Sequence, residues 1–290
     1  MNFVILDLEW NGSYSKKVHR YFNEIIEIGA VKLDERLHSL GTFQAMIKPV
    51  VSKKITNLVT DLTGIDKDEL KDGVSFQRAI KMFGKLFDEN TVLLTWSTSD
   101  LMVLLENITY FTGEKTIGFA KYYADAQAFC QKKISSENSG QQMGLSSACE
   151  ALGISDEDLS LHRAKDDSIL TARVFKKVYV YEDFEPYIHP IDDRFYERLY
   201  YKPKIITKVS HPLVKPEFLQ FRCPECHEKL HLRGKWRYSS RMLNAEMRCS
   251  CGKKYTAKVQ IKELYDCVSV RKRLTEELEP TASENEENNE

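Results

Sequence analysis

Apolar and polar positions alternate in two distinct periods along this chain. Residues 3–8 form a short apolar run with β-branched members, which reads as a buried strand ending in the acidic pair Asp7 and Glu9. Residues 25–33 and 42–48 read as two further strands, and the apolar run 92–96 as another. Between them, Phe76, Ile80, Phe83 and Phe87 fall on one helical stripe within residues 75–87. Residues 100–112 and 145–152 also carry helical patterning. The clearest helix spans 164–180, where Leu170, Val174 and Val178 recur every fourth position as a core-facing stripe should. Strands followed by helices predict an α/β fold with a mixed central sheet flanked by helices.

Past residue 182 the pattern changes. Pro186, Pro190, Pro203, Pro212 and Pro216 stand among Tyr, Lys and Arg, as expected of a linker over 183–217 that packs partly on the first domain (1–182). Residues 218–268 read as a small β-rich domain built around four cysteines, and 269–290 as a charged, disordered tail. Charge sharpens this division. Residues 1–190 hold 22 Lys/Arg against 27 Asp/Glu, residues 191–274 hold 20 against 9, and residues 275–290 hold 7 Glu and no base. A near-neutral total of −1 therefore hides a basic segment suited to a polyanion. No apolar run is long enough to span a membrane. The opening residues lack the pattern of a signal peptide. With an odd count of 7 cysteines, this points to a reducing, cytoplasmic setting rather than a disulfide framework.

Four carboxylates stand out by position. Asp7 and Glu9, two residues apart on a strand, face the same side. Asp100 opens a helix after the apolar strand 92–96, and Asp167 lies about one turn into the long helix. Strand ends and helix starts are where open α/β sheets place their sites. Burying a carboxylate pair is costly unless a cation or protons neutralise it, and hard oxygen ligands of this kind suit Mg²⁺ or Mn²⁺. Two such ions can activate water and stabilise the leaving oxygen of a phosphodiester. His162 lies five residues before Asp167, and histidine as a residue type suits the work of a general base near neutral pH. Taken singly, each has a plain alternative: Asp-x-Glu as a structural pair, Asp100 as a helix N-cap, and His162-Arg163-Ala164 as an ordinary helix start.

As an ordered set, these motifs resemble the DEDDh exonucleases of the RNase T and DnaQ-like superfamily. The likeness covers about residues 1–182. It rests on Leu6-Asp7-Leu8-Glu9-Trp10-Asn11, on Glu24-Ile25-Ile26-Glu27-Ile28-Gly29-Ala30-Val31, on Leu62-Thr63-Gly64-Ile65, on Trp96-Ser97-Thr98-Ser99-Asp100 and on His162-Arg163-Ala164-Lys165-Asp166-Asp167. The details are most similar to the Eri-type and KapD-like subgroup, several of whose members trim RNA ends. The resemblance implies a ribonuclease H-like fold and a 3′→5′ exonuclease. Asp7, Glu9 and Asp167 would ligate two Mg²⁺ or Mn²⁺ ions, Asp100 would support the second ion, and His162 would be the base. Leu8, Trp10, Asn11, Thr63 and Trp96 would lie beside the single-stranded RNA or DNA substrate. Trp10 either stacks on a base or packs in the core. Asp166, off the motif spacing, is expected at the surface.

The cysteines add a second site. Cys223-Pro224-Glu225-Cys226 and Cys249-Ser250-Cys251-Gly252 are two knuckles suited to one structural, tetrahedral Zn²⁺ in a zinc-ribbon-like module. The second knuckle is one residue short of the usual spacing, and His227 is an alternative ligand. Cys130, Cys149 and Cys267 lack partners at ligand spacing and are expected to be buried thiols. Between the knuckles, Arg233-Gly234-Lys235-Trp236-Arg237-Tyr238 interleaves base and aromatic. It reads either as a nucleic-acid surface or as a solvated hairpin with one packed Trp. The alternative to an enzyme is a weakly catalytic module that binds nucleic acid, or docks to a protein, through the zinc ribbon.

Overall fold

A computed structural model describes residues 1–52, 54–135 and 142–277. The chain divides into two compact units, Met1–Leu199 and Tyr200–Glu290. None of the described helices is long and apolar enough to cross a membrane.

The first unit is built on β1 (Asn2–Ser15), β2 (Arg20–Leu33) and β3 (Ser39–Met46), followed by helices α1 (Asn57–Thr63) and α2 (Phe76–Gly84). Then come β4 (Thr91–Thr95), α3 (Ser99–Thr112), β5 (Tyr122–Asp125), α4 (Ala126–Ile134), α5 (Leu145–Leu152) and α6 (Ala164–Val178). A short helix α7 (Tyr181–Phe184), the two-residue strand β6 (His189–Pro190) and α8 (Asp193–Tyr200) complete it. The sheet runs β3-β2-β1-β4-β5-β6. β1 pairs antiparallel with β2 and parallel with β4, so the sheet is mixed. Strands β1 and β2 extend well beyond the apolar runs that announce them, because their polar ends pair with each other as far as Ser15 and Arg20.

Alternation along β1 divides two cores. Val4, Leu6 and Leu8 enter one apolar cluster with α2 and α3, whereas Phe3 and Ile5 enter the other with α4 and α6. Leu170 and Val174 of the expected stripe are buried in that second core, with Val178 at its margin. Since side chains alternate, Asp7 and Glu9 share the face of Phe3 and Ile5, the face that α6 covers. Gly29 lies opposite Asp7 on β2. A Cβ there would overlap the backbone of Ala164 and Lys165, so the first turn of α6 rests directly on β2.

Residues 183–217, expected as a linker, divide between the two units. Phe184 is fully buried against Phe175, with ring centroids 4.9 Å apart, and Phe195 packs on Tyr123 at 5.7 Å. Beyond the boundary, β7 (Lys204–Ile205) pairs with β10 of the second unit.

That second unit holds β8 (His231–Ser239), β9 (Met242–Arg248), β10 (Lys254–Glu263) and β11 (Val268–Glu276) in the order β11-β10-β9-β8. Its core combines Ile206, Leu243, Met247, Tyr255 and Val259 with Cys223 and Cys249. Strand β11 corrects the expectation of a disordered tail over 269–290. Val270 and Leu274 pack on this core, and nine register pairs join the strand to β10. The rest of that tail, residues 278–290, lies outside the described residues. Cys130 and Cys149 are buried as expected, but Cys267 is exposed because it lies in the turn between β10 and β11.

Gly29→Ala tests the close approach of α6. Overpacking typically costs about 1–3 kcal/mol, and rigid backbone on the far side puts this position at the upper end. Urea unfolding of the variant should show that loss, with a raised requirement for divalent cation in any hydrolysis.

Candidate active site and metal centres

Ligand oxygens of Asp7, Glu9 and Asp167 all lie within 4.8 Å of one another. Two local periods converge to place them. Strand alternation aims Asp7 and Glu9 at α6, and the first turn of α6 turns Asp167 back toward β1. Asp100 is buried in the first turn of α3, and its Oδ1 accepts a hydrogen bond from the backbone N–H of Leu8 at 3.2 Å. It therefore braces the peptide between the two strand carboxylates. Thr98 takes the N-cap position of α3, so Asp100 is not the cap.

His162 stands just outside α6 with a left-handed backbone (φ 62°) and is exposed. Its N–H donates to Asp167 Oδ2 at 3.1 Å. Asp166, expected at the surface, is turned inward instead: its side chain is 18% exposed and accepts the N–H of Ser160 at 3.0 Å. Both acids thus anchor the loop that presents His162.

Crowding of like charge dominates the electrostatics. Burial raises the Asp7 carboxyl well above the ordinary range, and the charges of Asp100, Asp167, Glu9 and Glu27 add to the effect. Glu9 is pushed up to about 8, by burial first and then by Asp167 and Glu27. Asp100 rises to about 7 through burial, opposed by its own N–H and that of Leu8. Burial also raises Asp167, while His162 opposes the shift. Without a cation, burial and mutual repulsion favour the protonated forms of Glu9 and Asp100 near neutrality. A divalent ion with oxygen preference supplies the missing charge, so the donor set fits hard metal ions.

Glu27 is the residue that sequence reasoning missed. It is fully buried opposite Glu9, where its Oε2 accepts Arg163 Nε at 3.1 Å and Ala164 N at 3.3 Å. Its Oε1 accepts Gln44 Nε2 at 2.6 Å, and Arg163 continues to Glu69 at 2.6 Å. This network ties β2 to the start of α6. A lone acid inside the run Ile25-Ile26-Glu27-Ile28 was the available signal, since a buried charge needs a partner. Glu24, also buried, accepts backbone N–H groups of Val50, Val51 and Ser52 and so holds the loop after β3.

Several residues expected beside substrate are used by the fold. The Leu8 side chain is core. Asn11 is fully buried, donating to Lys54 O at 3.0 Å and accepting Thr56 N at 3.1 Å, which leaves no amide group for a nucleotide. Thr63 Oγ1 donates to Val59 O and accepts Ile65 N, closing α1. Trp96 Nε1 donates to Met143 O at 3.2 Å, and Trp10 packs half-buried against the first core.

In the second unit, Cys223, Cys226, Cys249 and Cys251 bring their sulfurs within 4.8 Å. Two similar turns do this. His227 N donates to Cys223 O and Gly252 N to Cys249 O, and His227 and Gly252 both adopt positive φ (60° and 95°). The short second knuckle therefore still closes, and His227 serves the turn. The Cys226 N–H and the Tyr255 hydroxyl lower the Cys223 thiol to about 6, favouring the thiolate that binds metal.

A mixed sheet of this order, with carboxylates gathered where β1 meets α6, is a ribonuclease H-like fold. The chain belongs to the RNase T exonuclease family, whose sequence pattern matches residues 4–175. It is 27% identical over 173 residues to the PolC-type DNA polymerase III of Thermotoga petrophila, covering 60% of this chain and 11% of that protein. It is 26% identical over 188 residues to the Ureaplasma parvum counterpart, covering 63% and 12%. The chain thus spans about a tenth of these curated relatives. Among solved structures, the nuclease domain of 3′hExo, a DEDDh family member bound to rAMP, superposes with a TM-score of 0.51 at 23% identity, covering 61% of this chain and 90% of that one. Cell-death related nuclease 4 (CRN-4) superposes with a TM-score of 0.52 at 15% identity, covering 74% and 72%.

The raised carboxyl values make stability depend on pH. In cation-free protein the folded state keeps protons that the unfolded state releases at lower pH, so stability falls as pH rises. For Glu9 the window runs from 4.5 to about 8. Thermal unfolding across it should show a falling midpoint without Mg²⁺. Added Mg²⁺ should stabilise most at the upper end, where it displaces fewest protons. A midpoint insensitive to both would contradict this reading of the cluster.

Proposed function

We propose that this chain is a 3′→5′ exonuclease that releases nucleoside 5′-monophosphates from single-stranded ends, RNA in preference to DNA. The observation that carries the proposal is the convergence of Asp7, Glu9 and Asp167 within 4.8 Å, with His162 hydrogen-bonded through its backbone to Asp167. Asp7, Glu9 and Asp167 hold two Mg²⁺ or Mn²⁺ ions, and Asp100 supports the second while bracing Leu8. Bound there, such ions lower the pKa of water and offset charge on the leaving oxygen. His162, exposed on its loop, accepts the proton of the attacking water. Glu27 and Arg163 hold that loop and the start of α6 in place.

The RNA preference is supported by the likeness to the Eri-type and KapD-like subgroup. It requires that Glu9 or a neighbouring backbone group meet the 2′-hydroxyl, which separates RNA from DNA. In the second unit the four thiolates hold one Zn²⁺. Four protein ligands leave no open position, so this ion is structural.

Matched RNA and DNA oligomers labelled at the 5′ end should shorten from the 3′ end with Mg²⁺ or Mn²⁺, RNA faster. Asp7→Asn should abolish nearly all of this. His162→Asn should slow turnover by about 10²–10⁴-fold with binding retained. Unchanged degradation of 3′-blocked oligomers would exclude the exonuclease, whereas equal rates on both polymers would remove only the RNA preference.

Metal analysis should find about one zinc per chain. Cys223→Ser should release it and expose the second unit to proteolysis. A metal-free protein with that unit intact would refute the zinc assignment.

A further inference from the structure

The sheet of the second unit, along the four strands β11-β10-β9-β8, has two unlike faces. Leu243, Ala245 and Met247 of β9 and Tyr255, Ala257 and Val259 of β10 are buried on one side with the cysteines. Strand alternation sends the intervening residues to the other side, and the register shows how they line up. Arg237 pairs with Asn244, Asn244 with Lys258, and Lys258 with Arg273, so one rung across all four strands carries three cations. At about 4.8 Å per strand, that rung spans roughly 14 Å.

The neighbouring rungs extend the pattern. Arg248 pairs with Lys254, and Arg271 stands opposite Gln260. Arg233 pairs with Glu246, the one acid that β9 turns to this side. Arg233, Arg237, Arg248, Arg271 and Arg273 are exposed. Among the described residues, none of these five arginines nor Lys258 forms an ion pair. Where the register of β8 slips between Arg233 and Arg237, a groove of about 470 Å³ opens, lined by both arginines and Lys235, with Glu246 and Glu277 at its wall, so the cations free of acids lie farther across the sheet, at Lys258, Arg271 and Arg273.

Like charges directly opposed across strands are destabilising. This sheet nevertheless sets Lys258 against Arg273 and Arg248 against Lys254. The hydrophobic core lies on the other side and needs none of them. Trp236 belongs to that other side: it packs on the core, 6.5 Å from the Phe221 ring. Tyr238 pairs with buried Leu243 and so shares the core-side direction. The interleaving of base and aromatic read along β8 therefore separates in space, leaving the outer face with cations and, opposite Arg248, the His231 imidazole, but with no Trp, Tyr or Phe ring.

We propose that this outer sheet face binds the phosphate backbone of a nucleic-acid strand through Arg237, Lys258, Arg271 and Arg273. The choice of a nucleic acid as the polyanion rests on the exonuclease reading of the first unit. With cations across its strands and no Trp, Tyr or Phe ring, this face makes its contacts chiefly to phosphates. Binding is independent of sequence, accepts RNA and DNA alike, and weakens steeply with salt.

The test uses the full chain carrying Asp7→Asn, so that oligomers survive. Fluorescence anisotropy with labelled 30-nucleotide RNA and DNA compares Lys258→Gln/Arg271→Gln/Arg273→Gln with a control of equal charge loss in the first unit, Lys81→Gln/Lys176→Gln/Lys177→Gln. The sheet variant should lower the slope of log affinity against log salt by about 2 and bind about 100-fold more weakly near 0.1 M salt, as expected for three lost phosphate contacts. The control should change far less. In chains that retain Asp7, the sheet variant should slow degradation of the 30-mer at limiting concentration and leave a trinucleotide unaffected. If neither substrate is degraded but the binding difference persists, the exonuclease reading fails and the phosphate-binding face stands. Unchanged affinity and slope, or an equal loss in the control, overturns the proposal and leaves the face to an acidic protein surface.

Discussion

The acidic centre depends on a contact between two backbones: the first turn of α6 lying on β2 at Gly29. A side chain at that position would separate helix from sheet by the thickness of a methyl group. Asp167 would then leave the reach of Asp7 and Glu9, whose oxygens now lie within 4.8 Å of its own. Hard divalent ions bind oxygen ligands at about 2.0–2.6 Å, so a displacement of that size is enough to unmake the centre. A glycine within an otherwise β-branched strand weakens the strand locally. Here it is the means by which residues 7 and 167 come together.

Such a contact also forces like charges into one place, and the surroundings are arranged to bear it. Asp100 is partly stabilised by the Leu8 N–H, and Asp167 by that of His162. Glu27, although an acid itself, is neutralised by Arg163 and by the N–H of Ala164 at the start of α6. The Glu27–Arg163 pair is therefore a substantial tie between sheet and helix. What is left uncompensated is concentrated on Asp7 and Glu9, where an incoming cation is most strongly bound.

The two units handle opposite charge by the same device. In each, strand alternation puts an apolar core on one side and a row of like charges on the other or at its end. In the first unit the row is acidic and short, and its oxygens close to within 4.8 Å of one another. In the second it is basic and spread across β8 to β11 as an open face. Cys223 and Cys249 belong to the second unit's core beside Leu243, Met247 and Tyr255, so the cysteine cluster and the apolar core are one body.

Local periodicity determined much of this. The period of two in β1 already put Asp7 and Glu9 on one side, the four-residue recurrence in α6 placed its core stripe, and the spacing of the cysteines paired the knuckles. Each of these is a property of one segment and its own geometry. The tertiary structure decided which polar side chains remain free. Asn11 and Leu8 follow the same motif as the acids, yet long-range packing commits them to the loop at Lys54 and Thr56 and to the core. Glu27 and Arg163 lie 136 positions apart and meet only because α6 lies across β2. The basic run along β8 looked interleaved with aromatics until strand pairing sent Trp236 to one side and Arg233 and Arg237 to the other. A segment's period fixes the direction of a side chain relative to its neighbours in sequence; what that side chain meets is set by elements far away along the chain, and only the folded arrangement contains that information.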